Sequence, residues 1–443
     1  DAENRSIWRR FSRNLSVGLL GAVLSLAIKS AQTLLLTRAL RMEDYGRVLI
    51  VVNLFVFLNS FIGLRVSDVM FRFFPLLRER REESALQGLL LLCLGVSATT
   101  GLLIFVSVLV FSPWLAGRLY QSPELAPLFG IYGWTILASS FSDVSGPILR
   151  MYDRFTSLVA PQVLGSLATF TILIAYMATT SRYHLTPIVA AFAVGVFVQT
   201  VPPLVLALRL VKPYLTGVNL KLAATSLATY RSELMRCLFN SNVTGYLKIA
   251  NSPGDLFLLG IFSSPAQVAL YGLAKQLVAP LALLLTNVQT ALTPEITLLV
   301  AKRKLEQFKR LVGLYTVSAF VAGGLLTVCA LLAGRFLILR LTRPEYVDAL
   351  PLFYILLIAA WALLVGAFLR PLALSLDLLK WDNLAQLAST AVLLIFVIAG
   401  RLNALTLALV QLAGVLALRL LFYVPVWRRL RALTHDSQQK GVP

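Results

Sequence analysis

Residues 237–277 read CLFNSNVTGYLKIANSPGDLFLLGIFSSPAQVALYGLAKQL, a stretch apolar enough to cross a membrane although it carries charge. The charged side chains are Lys248, Asp255 and Lys275, and an Asn-Ser-Pro-Gly run interrupts the stretch at 251–254. In a helix, the polar residues before Leu256 recur at steps of three and four, so they share one face. A polar stripe with a cation, on a helix that otherwise suits lipid, needs water, a partner or a ligand beside it.

The rest of the chain has the same apolar character. It contains 443 residues, of which 58% are hydrophobic. Apolar runs near twenty residues recur from end to end, and each is long enough as a helix to cross a hydrocarbon core about 30 Å thick. We therefore predict an all-α polytopic membrane protein with about twelve transmembrane helices in two six-helix lobes around a central cavity. The predicted spans are 15–37, 45–71, 85–111, 125–149, 156–179, 186–209, 237–261, 268–293, 309–333, 349–373, 383–400 and 405–427.

The charge distribution predicts an orientation. The chain has 40 Lys and Arg against 20 Asp and Glu, and most of the cations outside the spans fall in loops on the side of the amino terminus. The positive-inside rule therefore predicts that both termini are cytoplasmic. The basic residues form short clusters between spans, a pattern that does not indicate a nucleic-acid partner. Two distant histidines and three scattered cysteines predict neither a metal site nor a disulfide framework.

A weak internal repeat predicts the domain organisation. A Tyr-Gly pair at 45–46 and another at 271–272 each restart a span after a short outer loop. The span that follows each pair ends with a proline and then a basic run. Two six-helix units related by a pseudo-twofold axis would hold substrate between them. We predict a basic cytoplasmic amino terminus (1–14), an N-lobe (15–210), an amphipathic cytoplasmic linker (211–236), a C-lobe (237–427) and a cytoplasmic tail (428–443).

Charge inside the spans marks the candidate site, since no catalytic signature is present. One Lys or Arg at mid-bilayer costs about 2.5–3.5 kcal/mol on insertion scales. Net positive charge at mid-depth favours capture of a phosphate or carboxylate, and the alternative is a structural pair such as Lys248 with Asp255 or Asp143. The predicted cavity cations are Lys29, Lys248, Lys275, Arg65 and Arg370. Arg65 and Arg370 are explained equally well by their positions at the inner ends of spans. The predicted polar lining of the cavity is Gln32, Thr33, Thr244, Asn251 and Ser139.

Two further roles are predicted for the same region. Asp255 and Asp143 are candidates for accepting a coupling proton or Na⁺, and permanent ionisation in a salt bridge is the alternative. Pro253 and Gly254 interrupt a helix ladder, which predicts either a hinge between rocking halves or a static kink. No catalytic residue, metal or cofactor is predicted, and an H⁺ or Na⁺ gradient is the expected source of any coupling.

Five segments carry a family resemblance: LTRALRMEDYGRVLI (36–50), LRMYDRF (149–155), the GDLFLLGIF and ALYGLAKQL runs within 254–277, PEITLLVAKRKLEQFKRL (294–311) and RPEYVDALPLFYIL (343–356). With these segments the chain resembles the Wzx-type O-antigen and exopolysaccharide flippases, which form the polysaccharide transporter branch of the MOP flippase superfamily. The resemblance covers nearly the whole chain, although its motifs are short.

The resemblance implies a function. Such a flippase moves a polyprenyl-diphosphate-linked oligosaccharide from the cytoplasmic to the outer leaflet by alternating access, and its cavity cations hold the diphosphate or acidic sugars. It also implies a multi-pass protein of a bacterial or archaeal cytoplasmic (inner) membrane. The expected partners are the lipid-linked oligosaccharide, membrane lipids, a polysaccharide polymerase and glycosyltransferases, with the protein itself a monomer.

Other functions remain open from the sequence. A lipid II flippase would have two further spans, and a drug/cation antiporter would have an acid-rich cavity. A multi-span envelope glycosyltransferase or polymerase would present a sizeable outer loop, whereas the longest outer loop here is near 334–348. A scaffold for envelope-synthesis enzymes would give no reason for lysines at mid-membrane depth.

Overall fold

The computed structural model of the protein describes residues 2–61, 66–180, 182–217, 219–249, 254–301, 304–375, 379–400 and 402–417. Regular structure within these ranges is helical throughout. The helices are α1 (Ala2–Ala39), α2 (Met42–Asn59), α3 (Val66–Glu79), α4 (Glu83–Trp114), α5 (Leu125–Ser139), α6 (Ser142–Met151), α7 (Thr156–Thr179), α8 (Leu185–Leu215), α9 (Leu220–Ala228), α10 (Arg231–Ile249), α11 (Gly254–Phe262), α12 (Pro265–Ala301), α13 (Leu305–Leu341), α14 (Ala349–Val365), α15 (Leu369–Ser375), α16 (Leu379–Ile398) and α17 (Ala404–Ala417), with a π-helical turn at Leu115–Leu119 and a 3-10 turn at Pro344–Asp348.

The predicted all-α membrane fold is confirmed. In the described part of the chain, eight helical segments are long and apolar enough to span a membrane, and further apolar helices accompany them. Each of the twelve predicted spans overlaps one or two of the described helices. Helices are the expected solution, because a bilayer offers no partner for unpaired backbone groups.

The chain forms two compact units. The first comprises Asp1–Gln32 and Arg47–Ile249, and the second comprises Thr33–Gly46 and Ala250–Pro443. The chain therefore passes from one unit to the other inside α1 and again inside α2. The predicted division into an N-lobe of 15–210 and a C-lobe of 237–427 stays a prediction.

In the first unit, small residues let neighbouring helices approach closely. A Cβ added to Gly165 of α7 would lie 2.4 Å from the carbonyl oxygen of Gly195 in α8. At the same crossing, the Thr169 hydroxyl donates to the Ala191 carbonyl at 3.3 Å. Small residues and interhelical hydrogen bonds of this kind hold membrane helices together, since the hydrophobic effect gives little attraction between helices in lipid.

The stretch predicted to be an amphipathic linker contains the end of α8, all of α9 and the start of α10. The Asn219 side chain caps α9 by accepting from the Leu222 backbone N–H at 3.3 Å. The helix packs on α4, where Ala223 is buried and a Cβ on Gly88 would lie 2.5 Å from the Ala223 carbonyl oxygen. Thus α9 packs against α4 at a point of close backbone contact.

In the second unit, the end of α1 and the start of α2 are fastened to the segment before α14. Arg343 donates from Nε to the Arg38 carbonyl at 3.1 Å and from Nη2 to the Ala39 carbonyl at 2.8 Å. Glu345 accepts from the Met42 backbone N–H at 3.3 Å. These groups satisfy carbonyls at the end of α1 and an N–H at the start of α2 that have no partner within their helices. We call this set of contacts the hairpin clasp.

Candidate functional site

A buried carboxylate lies at the start of α11. Asp255 is 2% exposed, and its two oxygens accept from Lys275 Nζ at 2.8 Å and 2.6 Å. The Tyr271 hydroxyl donates to the same carboxylate at 3.2 Å, and the Leu256 backbone N–H donates at 2.7 Å. Asp255, Tyr271 and Lys275 form a group that we call the Asp255 cluster.

Local sequence explains how the cluster forms. Tyr271 and Lys275 are four residues apart on α12, so both side chains leave the helix on the same face. A short turn joins α11 to α12, and α12 begins with Pro265 at a position where a missing N–H costs nothing. The Ser264 side chain and carbonyl accept from the Gln267 N–H, which closes that turn. The α11–α12 hairpin then packs Asp255 against the Tyr271 and Lys275 face.

The contacts of the Asp255 cluster show whether the charge of Lys275 has a structural partner. The side chain of Asp255 is 3% exposed and that of Lys275 is 39% exposed. A buried carboxylate without a partner is strongly unfavourable, whereas one with a cation and two further donors is satisfied. Lys275 therefore has a structural partner, and its charge is balanced inside the second unit.

Lys29 has a different environment in the first unit. It is an exposed residue of α1, about 20 Å along the helix axis from Ser16 at 1.5 Å per residue, within the candidate span Ser16–Ala39. One turn on, Gln32 is buried and its amide donates to the Ser166 carbonyl of α7 at 2.6 Å. Gln32 therefore connects two helices, whereas Lys29, one turn before it, is an exposed residue.

The other predicted site residues are divided between the two units. Thr33 is buried in the second unit, where its carbonyl accepts from the Thr37 hydroxyl at 2.9 Å. Ser139, at the end of α5, donates to the Asn59 side-chain oxygen of α2 at 2.7 Å. Asp143 is half-buried in the first turn of α6 and has an interaction partner, and Arg370 is exposed near the start of α15.

Several predicted residues lie outside the described part of the chain. These are Arg65, Asn251 and Pro253, together with the side chains of Thr244 and Lys248, whose backbones belong to α10. Helix α10 ends at Ile249 and α11 begins at Gly254. The hinge at Pro253 and Gly254 therefore stays a prediction, as does a role for Lys248 in anion binding.

Sequence reasoning did not assign a role to Tyr271 beyond the Tyr-Gly repeat. Its spacing from Lys275 is the signal that could have joined the two residues. Nothing in the sequence indicated that Arg343 would hold the end of α1, because the two lie about 300 residues apart. Among the described residues, no group of three or more His, Cys, Asp or Glu side chains could hold a metal ion.

Comparison with solved structures defines the class of protein to which this fold belongs. An inward-facing multidrug-resistance MATE transporter of the MOP superfamily matches with a TM-score of 0.70 at 13% identity, over 94% of this chain and 96% of the other. The lipid II flippase MurJ, in an inward closed conformation, matches with a TM-score of 0.64 at 14% identity, over 95% and 90%. A MOP-superfamily transporter from Pyrococcus furiosus Vc1 matches with a TM-score of 0.60 at 14% identity, over 95% and 96%. The chain has the fold of the MOP-superfamily transporters.

The sequence places the protein more narrowly. The profile of the family described as "polysaccharide biosynthesis protein" matches residues 35–343, and the chain belongs to that family. No curated protein sequence matches the chain significantly. The predicted resemblance is confirmed at the level of family and fold. The protein is therefore a multi-pass membrane protein of that family, with the fold seen in MOP-superfamily transporters.

Proposed function

We propose that this protein is a flippase that moves a polyprenyl-diphosphate-linked oligosaccharide from the cytoplasmic to the outer leaflet by alternating access. Membership of a polysaccharide biosynthesis family supports a glycan substrate, and the transporter fold supports movement rather than synthesis. A sugar chain built on a membrane lipid must cross the bilayer with its polar head group, which needs a hydrated path between helices.

The observation that carries the proposal is that Lys29 is an exposed residue inside an apolar span. A cation at the middle of a transmembrane helix costs about 2.5–3.5 kcal/mol, so such a residue normally faces water, a partner or a ligand. A diphosphate fits this position, because it brings negative charge and several acceptor oxygens to a point cation. Lys29 is therefore our first candidate for holding the diphosphate.

The Asp255 cluster takes a supporting part in this proposal. Lys275 already gives two short hydrogen bonds to Asp255, so the pair presents little net charge to an anion. We assign Lys275 to positioning the α11–α12 hairpin, with its exposed part available to the sugars. Lys248, Arg65 and Arg370 remain proposed diphosphate or acidic-sugar ligands.

Coupling to an ion gradient is a further part of the proposal. Both oxygens of Asp255 accept hydrogen bonds, and a Na⁺ or a proton could bind there only after Lys275 moves away. Asp143 is the alternative coupling carboxylate in the first unit. Transport measured with and without imposed H⁺ and Na⁺ gradients, in the wild type and in Asp255→Asn and Asp143→Asn, assigns the coupling site.

The proposed cellular setting follows the same line. We place the protein in a bacterial or archaeal cytoplasmic membrane with both termini inside, as a monomer serving O-antigen or exopolysaccharide synthesis beside glycosyltransferases and a polymerase. Labelling of single cysteines introduced in the loops with a membrane-impermeant reagent on intact cells would test the orientation. Accessibility of both termini from outside would contradict it.

The central experiment uses proteoliposomes with a fluorescent polyprenyl-diphosphate oligosaccharide and a reagent that quenches only the outer leaflet. We expect Lys29→Ala to slow translocation about tenfold or more, since one charge-assisted contact contributes about 1.5–3 kcal/mol. Lys29→Arg should retain most of the rate. Lys309→Ala is the matched control, because Lys309 pairs with Glu306 at the helix surface.

Two outcomes would overturn the proposal. If correctly folded wild-type protein translocates no lipid-linked oligosaccharide but moves lipid II or a cationic drug, the substrate assignment is wrong. If the wild type is active and Lys29→Ala is equally active, the assignment of the diphosphate to Lys29 is wrong while the flippase function stands.

A further inference from the structure

An apolar cavity of about 770 Å³ lies inside the first unit, between α3 and α4 on one side and α9 and α10 on the other. Of the residues that line it, Arg231 alone is charged, and the others are apolar or small. Its volume falls within the range of roughly 300–1,000 Å³ that is usual for ligand sites. We call it the α9 cavity.

The walls of the α9 cavity are fixed in place. At one end, Tyr230 donates to Glu82 at 2.9 Å and accepts from Arg80 at 3.0 Å, which ties the α3–α4 turn to the α9–α10 turn. The hydrogen bond to Tyr230 raises the pKa of the Arg80 guanidinium further above its already high ordinary value. Gly88 and Ala223 hold α9 against α4 by backbone contact. The space beside that contact is therefore a built feature of the unit.

The same two helices expose large apolar side chains, and Leu220 and Met235 among them also line the cavity. Leu220 and Leu222 of α9 are 68% and 55% exposed, and Met235 and Phe239 of α10 are 59% and 71% exposed. With nine residues, α9 extends only about 14 Å, too little to span the hydrocarbon core. Exposed leucines on a short helix of a membrane protein indicate a helix that lies in the membrane interface. Bilayer lipid is therefore the nearest available ligand.

The charges near the α9 cavity are mostly positive, which favours a lipid with an anionic head group. Arg231 lines the cavity, and exposed Lys221 and Arg236 lie on the same two helices. Glu233 is the exposed acidic residue on α10 and offsets one of these charges. The remaining positive charge beside an apolar chamber matches a phosphate head group attached to a hydrocarbon chain.

We propose that the α9 cavity binds one acyl chain of an anionic phospholipid, with the lipid phosphate held at Arg231. An apolar chamber of this kind does not hold water well, since water needs two to four polar partners. A hydrocarbon chain would fill the space between α4 and α9 without leaving polar groups unpaired. The bound lipid would join the interfacial helix to the transmembrane helices, independently of which substrate the protein moves.

The experiment places purified protein in nanodiscs that contain phosphatidylcholine and phosphatidylglycerol carrying a photoreactive diazirine in one acyl chain. After irradiation, mass spectrometry locates the cross-linked peptides. We expect cross-links in the α4 peptide around 91–96 and in the peptide 224–238. A diazirine phosphatidylcholine probe should label these peptides about fivefold less, corresponding to about 1 kcal/mol of charge attraction.

Variants test the site directly. Ala224→Trp, which fills the α9 cavity, should abolish both cross-links, and Ala228→Leu is a milder filling variant if the first fails to fold. Arg231→Gln should remove the preference for phosphatidylglycerol. Ala175→Trp on the exposed face of α7 is the matched control and should label like the wild type. Thermal unfolding of each variant confirms that it is folded.

Three results would overturn the proposal. The wild type could give no cross-links at these peptides, or a folded filling variant could label as strongly as the wild type. A photoreactive polyprenyl diphosphate could also label the same peptides and displace phosphatidylglycerol, in which case the occupant is an isoprenoid chain rather than a phospholipid acyl chain.

Discussion

Replacing Lys275 with methionine keeps the length of the side chain and removes the cation that balances Asp255. The carboxylate is 3% exposed and would keep only the hydrogen bonds from Tyr271 and the Leu256 N–H. Breaking a buried pair by removing one partner costs about 3–5 kcal/mol, because a buried charge is left uncompensated. We therefore expect Lys275→Met to be among the most destabilising single changes in the second unit.

Removing the carboxylate of the pair should cost less than removing the cation. In Asp255→Asn the remaining lysine has a side chain that is 39% exposed and can stay hydrated, so the loss is mainly that of charge-assisted hydrogen bonds, about 1.5–3 kcal/mol. The double variant Asp255→Asn with Lys275→Met removes both charges and should be more stable than Lys275→Met alone. A coupling energy of about 1–3 kcal/mol is expected for two groups in direct contact.

The assay is thermal unfolding of the purified protein in nanodiscs, followed by light scattering and tryptophan fluorescence. For a unit of about 200 residues, 1 kcal/mol corresponds to roughly 2–4 °C, so Lys275→Met should lower Tm by roughly 10 °C. A Tm within 1 °C of the wild type for Lys275→Met would refute the reasoning. So would a double variant that is less stable than the wild type by the full sum of the two single-variant effects, since the coupling energy would then be zero.

Two further predictions concern the hairpin clasp and its neighbourhood. Arg343→Gln removes the two guanidinium contacts to the Arg38 and Ala39 carbonyls and should cost about 1–2 kcal/mol, seen as a Tm lower by about 4 °C, with Lys309→Gln as an unaffected surface control. Gly46→Ala places a Cβ 1.8 Å from the Pro265 carbonyl oxygen, so the start of α2 must shift at a cost of about 1–3 kcal/mol. In the control Gly117→Ala the new Cβ meets nothing within 4 Å, and Tm should stay within 1–2 °C of the wild type. Equal Tm values for the Gly46 and Gly117 variants would contradict the second prediction.

The sequence predicts helices and spans well because hydropathy acts locally. A run of apolar residues must become a helix in lipid whatever its neighbours are. The interaction partners of individual side chains are harder to predict. Periodicity shows which residues share a helix face, but it does not show which other helix that face contacts. Lys248 and Asp255 share a face in the sequence pattern, yet the partner found for Asp255 is Lys275 on the next helix.

Gln32 illustrates the same limit. The sequence pattern predicts that Gln32 lines a cavity together with the cation Lys29. In the structure Gln32 is buried against the Ser166 carbonyl while Lys29 is exposed. Which side chains of α1 meet α7 depends on the shapes of both helices. A short stretch of the α1 sequence does not contain that information.

The hairpin clasp has a consequence for how the protein is made. The Arg38 and Ala39 carbonyls and the Met42 N–H find their partners at Arg343 and Glu345, more than 300 residues later in the chain. At a synthesis rate of about 5–20 residues per second, the first helical hairpin leaves the ribosome about 15–60 s before Arg343 does. During that interval the tip of the hairpin must be satisfied by water, lipid head groups or the insertion machinery. Its final attachment is thus a late step of assembly, made after most of the spans are already in the membrane.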